Sequence, residues 1–180
     1  ILMKLNILNV ATLLCAMQNK NVLVLGDVIL DRFIDGSVTR ISPEAPVPIL
    51  SQSRVCQMAG GAANVACNLA QLGLHVHLIG VCGNDKAAKD LETEIGVYPA
   101  IQFDPVRIKD RPTSLKTRYR AGGQQILRVD DEITIDIDDK NANHILTSAT
   151  AALEDADLMV ISDYGKGTLP STLLTKIIAT

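Results

Sequence analysis

Residues 58–83, MAGGAANVACNLAQLGLHVHLIGVCG, constrain the fold more tightly than any other stretch of the chain. Gly60-Gly61 let backbone amides approach a neighbour or a ligand closely. A helix is expected from about Ala62 to Leu72, with Asn64 in its first turn and Gly73 where it should stop. The apolar run 75–81 then reads as a strand closing at Gly83. Such a helix–strand unit belongs to an α/β sheet. A helix start introduced by two glycines suits hydroxyl or phosphate oxygens, because its unbonded N–H groups and its dipole point at them.

The rest of the sequence fits that class. With 47% hydrophobic residues in 180, the chain can bury a core for one domain or a large part of one. Aromatic residues make up only 3% and Trp is missing, so the core rests on Val, Ile, Leu and Ala, which suits a sheet covered on both faces. A net charge of −3 and few stacking rings argue against nucleic acid or an anionic membrane as partner. Cys15, Cys56, Cys67 and Cys82 show no C-x-x-C pairing and no zinc spacing, a usage that fits a reducing cytoplasm.

Residues 1–20 form a separate segment. Lys4 and the apolar run ending in Leu13-Leu14-Cys15-Ala16 faintly resemble a lipoprotein signal. Asn6 and Asn9 interrupt that run, so an amphipathic helix packed on the domain is the expectation. No Met stands at position 1, and a natural start elsewhere is expected. No later run is long enough for a bilayer span.

Residues 21–26 read as a buried strand ending in Asp27. Residues 33–38 and 47–56 read as two strands around the turn-rich run 39–46, and their prolines mark an edge hairpin or flap. A helix is expected over 85–95 with Asn84 or Asp85 as its cap, then a strand over 97–103. Residues 114–120 and 125–130 form a hairpin across Ala121-Gly122-Gly123. The acidic residues Asp130, Asp131, Glu132, Asp136, Asp138 and Asp139 bracket a short strand and read as a solvated loop and helix cap rather than a metal site. A helix over 140–153, a strand over 157–162 ending in Asp163, and a helix begun by Pro170 complete the chain. The order gives an open, mostly parallel α/β sheet, in which ligands sit beyond the carboxyl ends of the strands. Asp27, Asp163 and the Gly60-Gly61 helix start fall on that rim when crossovers are right-handed.

Each candidate has two readings. Asp27 is an acceptor for two adjacent hydroxyls of a polyol, or the cap of a turn. Asp31 shares that ligand or stiffens its loop. Asn64 meets a sugar edge or is an ordinary first-turn residue. Lys116, Arg118 and Arg128 concentrate cations on one hairpin, suited to a phosphorylated small molecule, or merely decorate a surface strand. Asp163 and Lys166 lie on a glycine-rich loop, a plausible polar part of a site. His75 and His77 lack companion ligands for a metal, and neither G-x-G-x-x-G after the first strand nor a P-loop occurs.

Taken together, 60-GGAANVA-66 with Gly73 and Gly83 resembles the amino-terminal signature of the ribokinase-like (PfkB) carbohydrate kinases. The runs 24-VLGDVILDRF-33, 40-RISPEAPVP-48 and 162-SDYGKG-167 resemble, within that family, the heptose 7-phosphate kinases of ADP-heptose synthesis. The resemblance covers about residues 20–180 and implies ATP- and Mg2+-dependent phosphorylation of a sugar phosphate at its anomeric hydroxyl. It implies that Asp27, Gly60, Gly61 and Asn64 hold the sugar, that Lys116, Arg118 and Arg128 lie near its phosphate, and that a β lid (strands about 33–56 and 114–130) pairs with a second subunit. The family's catalytic Asp sits in a G-A-G-D motif, which does not occur here. The resemblance therefore places that Asp beyond Thr180, with most of the ATP site, and names no catalytic residue in the chain.

Overall fold

The computed structural model describes the backbone of residues 7–180 and the side chains of residues 10–180. The expectations at Lys4, Asn6 and Asn9 lie outside the described side chains. Two four-stranded sheets organise the chain. The first is parallel throughout, in the order β5 (Ile101–Arg107), β4 (His75–Cys82), β1 (Asn21–Gly26), β8 (Leu158–Ser162). Alternation along β1 divides the core: Val22 and Val24 face α2 (Gly61–Gln71) and α3 (Lys86–Ile95). Leu23 and Leu25 face α4 (Asp139–Leu153) and α5 (Ser171–Ile178). All four β1 side chains are at most 2% exposed, as expected for a parallel strand covered on both sides. Cys67 and Cys82 pack in the first of these layers, and burial pushes the Cys82 thiol up to about 12, making it an inert packing residue.

The second sheet, the candidate lid, is ordered β3 (Pro48–Gly60), β2 (Val28–Ile41), β6 (Leu115–Ala121), β7 (Gln124–Asp131). Its strands reach further than their sequence pattern indicates. The β2–β3 pairing runs from Ile29↔Gly60 out to Ile41↔Pro48, so its root is buried in the core while most of β3 beyond it and the tip are exposed to solvent. The β6–β7 turn is the expected one. Gly122 and Gly123 have φ of 57° and 80°, the left-handed pair that a two-residue hairpin turn of this hand requires.

Three expectations are corrected. Helix α1 (Ile7–Met17) forms, but Val10, Leu13 and Leu14 are exposed, while Met17 packs against the core. The strand expected over 97–103 is displaced to β5. Residues 96–100 form turns after α3, Val97 is 70% exposed, and Pro105 is tolerated because β5 is an edge strand. Residues 132–138 contain no strand.

Asp85 is the cap of α3, accepting from the Ala88 amide at 2.8 Å, and the same carboxylate accepts the amide and hydroxyl of buried Thr113, both at 2.8 Å. Burial pushes the Asp85 pKa up, yet these hydrogen bonds outweigh it and hold the group below its ordinary 3.8. A carboxyl depressed in the folded state contributes stability that is complete above its unfolded pKa and is lost as pH falls through the folded one. Asp85→Ala should cost roughly 2 kcal/mol or more by urea denaturation at neutral pH, since a cap and a buried donor both lose their partner. The penalty should shrink as pH falls below the ordinary 3.8 and through the depressed folded value, where the wild-type carboxylate also protonates.

Candidate active site: a carboxylate-centred rim beneath a β lid

The strand order reverses at β1, whose neighbours are β4 on one side and β8 on the other. Crevices in open α/β sheets form at such a point, beyond the carboxyl ends of the strands. Asp27, the residue after β1, stands there at 1% exposure. Its amide donates to the Ser162 carbonyl of β8 (3.1 Å), and its carbonyl accepts from the Ala62 amide in the first turn of α2 (2.9 Å). The side-chain carboxylate accepts from the amides of Tyr164 (2.7 Å), Lys166 (3.0 Å) and Thr168 (3.4 Å). Gly165 and Gly167 have φ of 67° and 73°, and this alternation turns the amides of the loop inward around the anion. In this conformation Asp27 has no surface to offer a ligand: its oxygens are held by the loop after β8.

The paired glycines are required by close approach. Gly61 has φ +56°, and a Cβ there would lie 2.3 Å from the Asp27 carbonyl oxygen. A Cβ at Gly60 would lie 2.3 Å from Asp31 Oδ2. No side chain caps α2 at Gly60, and the Ala62 amide of its first turn is given to the Asp27 carbonyl.

The lid supplies the charges. Pairing of β2, β6 and β7 sets Asp31, Lys116 and Asp130 in one row, and Phe33, Arg118 and Arg128 in the next. This face looks towards the rim. Every one of its expected cations is partnered: Arg118 with Asp31, Arg128 with Asp130 (2.9 Å), and Lys116 with both Asp130 (3.0 Å) and Glu132 (2.9 Å). Lys166, from the loop that wraps Asp27, meets the other oxygen of Glu132 at 2.6 Å. Burial lowers the Lys116 pKa, but the Glu132 and Asp130 carboxylates outweigh it and hold the ammonium above its ordinary value. Burial likewise raises Glu132, and Lys166 and Lys116 outweigh that and hold its carboxyl low. The Phe33 ring lies under the Arg118 and Arg120 guanidinium groups, 5.4 and 4.7 Å from its centroid, and Asp35 holds Arg120 in a two-pronged pair.

Of the residues singled out in the sequence, Asp27, Asp31, Gly60, Gly61, Lys116, Arg118, Arg128 and Lys166 converge on this rim and lid face. Asp163 lies beside it, exposed, its carboxylate accepting from the Gly165 amide. Asn64 makes none of the hydrogen bonds described above. It meets Asn68 and lines a groove of about 280 Å3 with Met58, Cys67 and Tyr98.

The acidic run is a correction. Asp138 caps α4 as expected, but Asp130 and Glu132 are not solvated-loop charges: they hold the lysines of the rim. Arg111 was not legible at all. Its half-buried guanidinium donates to the carbonyls of Ile133 (2.9 Å), Ile135 (2.9 Å) and Lys166, tying the segment after β7 to the loop after β8. Burial lowers its pKa, and Asp27 and Asp136 oppose that. An Arg before Pro112 carries no periodic signal; its role comes from partners more than twenty residues away.

Known proteins fit this geometry. The pfkB family carbohydrate kinase model matches residues 19–180. The bifunctional protein HldE of Hyphomonas neptunium is 46% identical over 158 residues, covering 88% of this chain and 32% of that protein. The HldE protein of Caulobacter sp. strain K31 is 43% identical over 164 residues, covering 91% and 33%. The chain thus spans about a third of the length of these curated relatives. Among solved structures, a possible 1-phosphofructokinase from Thermotoga maritima superposes with a TM-score of 0.69 at 21% identity, covering 88% of this chain and 49% of that one. A ribokinase from Arabidopsis thaliana, complexed with ribose and ATP, gives 0.55 at 17% identity, covering 80% and 45%.

Two glycine substitutions separate backbone strain from close approach. Gly122→Ala, with a φ of 57° and no atom within 4 Å of the added Cβ, should cost about 1–2 kcal/mol. Gly61→Ala, at nearly the same φ but against the Asp27 carbonyl, should cost clearly more in urea denaturation. Equal penalties would mean that the contact with Asp27 is not a constraint.

Proposed function

Because the chain belongs to the pfkB family of carbohydrate kinases, we propose that it forms the sugar-binding and lid portion of a kinase for D-glycero-β-D-manno-heptose 7-phosphate. The reaction is ATP-dependent transfer to the anomeric hydroxyl, giving the 1,7-bisphosphate on the route to ADP-heptose for the lipopolysaccharide core. The observation that carries this reading is the convergence at the β1 switch point of an uncapped glycine-led helix start, a buried carboxylate and a lid face bearing lysines and arginines. Identity above 40% to HldE proteins over nearly the whole chain supports the heptose substrate.

In this account the Gly60-Gly61 turn lets the sugar oxygens approach the first-turn amides of α2, and Asp27 accepts a sugar hydroxyl once the loop over 163–168 yields. Lys116 and Lys166, with Arg118 and Arg128 behind them, draw the 7-phosphate by charge-assisted hydrogen bonds. The lid sheet covers the sugar and excludes water, so that phosphate passes to the sugar rather than to solvent. ATP and Mg2+ supply the phosphoryl group and its charge neutralisation. The base belongs to the family's G-A-G-D segment and is assigned to no residue of this chain.

A homodimer through the lid follows from the same reading. The lid row Val55, Ile34, Tyr119, Leu127 lies on the face opposite Phe33, with Val55 and Leu127 about half exposed, and the β3 and β7 edges are open. A cytoplasmic location suits ATP use. It also suits the four cysteines, which form no disulfide.

Titration calorimetry tests the substrate. Heptose 7-phosphate should bind, and Lys116→Ala should weaken it roughly 10- to 100-fold, the loss of one charge-assisted contact of about 1.5–3 kcal/mol. Tight binding of a nucleoside or an unphosphorylated sugar, with none of heptose 7-phosphate, would redirect the assignment.

A further inference from the structure

At Glu132 two ammonium groups meet a single carboxylate, one on each oxygen. Lys116 Nζ lies 2.9 Å from Oε2 and Lys166 Nζ 2.6 Å from Oε1, and the three side chains are only 14–16% exposed. We infer that Glu132 is a built-in stand-in anion: Lys116 and Lys166 form an oxyanion site for a phosphate dianion, and Glu132 fills it until that dianion displaces it. The inference rests on the sugar-phosphate reading above and deepens it, by naming how the phosphate site is kept and what it selects.

The two lysines come from different parts of the fold. Lys116 is fixed mid-strand in β6, between β2 and β7. Lys166 belongs to the loop whose amides wrap Asp27. Glu132 begins the irregular stretch after β7, so of the three it is the group most able to swing away without breaking a sheet. Arg111 pins the carbonyls of Ile133 and Ile135, which confines that movement to Glu132 itself. Asp130 keeps one contact to Lys116 when Glu132 leaves, so the lysine stays aimed.

A tethered carboxylate competes at a high effective concentration, and it lowers the apparent affinity of any external anion by the fraction of time the site is open. A monoanion offers the two lysines nothing that Glu132 does not already supply. A phosphate monoester carries nearly two charges and three acceptor oxygens, and so gains on exchange. The device therefore rejects monoanions and admits phosphorylated sugars, selection by a competing contact rather than by added attraction. Because Glu132 also links the lid hairpin to the loop over 163–168, its displacement tells both elements that a phosphate has arrived.

Glu132→Gln, titrated with inorganic phosphate and separately with heptose 7-phosphate, should bind both about tenfold more tightly than the unaltered protein. Adding Lys116→Met should erase that gain. In the unaltered protein, the Glu132 carboxyl followed by carbon-13 NMR should titrate below its ordinary 4.5 and should move up towards it when phosphate is bound. This second readout stands even where the variant fails to fold. Unchanged or weakened phosphate binding in a folded Glu132→Gln, or a Glu132 signal that ignores bound phosphate, would overturn the inference. Tighter inorganic phosphate without any binding of heptose 7-phosphate would uphold the inference and sink the heptose reading. Heptose 7-phosphate binding that Glu132→Gln leaves untouched would do the reverse.

Discussion

The structure depends on one buried carboxylate. Asp27 joins three elements that are distant in sequence: its amide to β8, its carbonyl to the first turn of α2, and its side chain to three amides of the loop after β8. Burying a charge is costly unless it is hydrogen-bonded, and here the backbone itself supplies the donors. The same constraint dictates Gly61, whose missing Cβ makes room for the Asp27 carbonyl. It also dictates Gly26, where a Cβ would lie 2.0 Å from the Ser162 carbonyl oxygen. Gly26 and Gly61 are thus consequences of one packed corner.

Above that corner the lid is joined to the core through its buried root and a small set of polar ties. Arg32 and Gln57 reach Asp90 on α3 from one face, and Lys116 reaches Lys166 through Glu132 from the other. Few apolar contacts hold the outer half of the lid, so its position is set largely by charges that a phosphorylated ligand also addresses. The expected local basicity of the hairpin is, in the folded molecule, close to neutral: Asp31, Asp35, Asp130 and Glu132 stand against the arginines and lysines around them. Positive potential appears there only when one of the acids gives way.

Much of the fold was legible because it is written locally. The α2–β4 unit, the Asp85 cap of α3 and the Gly122-Gly123 turn each follow from periodicity or from residues needed at a particular φ. The displacement of β5 was not legible, because Val97 mimics a strand start and Pro105 disguises an edge strand. The α1 helix was read from its apolar residues, but periodicity does not say whether a partner surface exists for them. At the rim, residue types and spacings marked Asp27, the glycines and the lysines. They could not show that Asp27 is saturated by amides, or that Glu132 and Arg111 organise the lysines. Those facts arise from contacts between segments far apart in sequence, which a single chain of letters does not encode visibly.

The central claim is a location: sugar phosphate binds at the Asp27 corner under the lid. Amide chemical shifts followed by NMR during titration with heptose 7-phosphate test it directly. The account predicts the largest changes at Gly60, Gly61, Tyr164, Lys166 and Thr168, with smaller ones along β6. Changes centred instead on the cleft of about 430 Å3 at the opposite ends of the strands, lined by Asn21, His75 and Gln102, would contradict it.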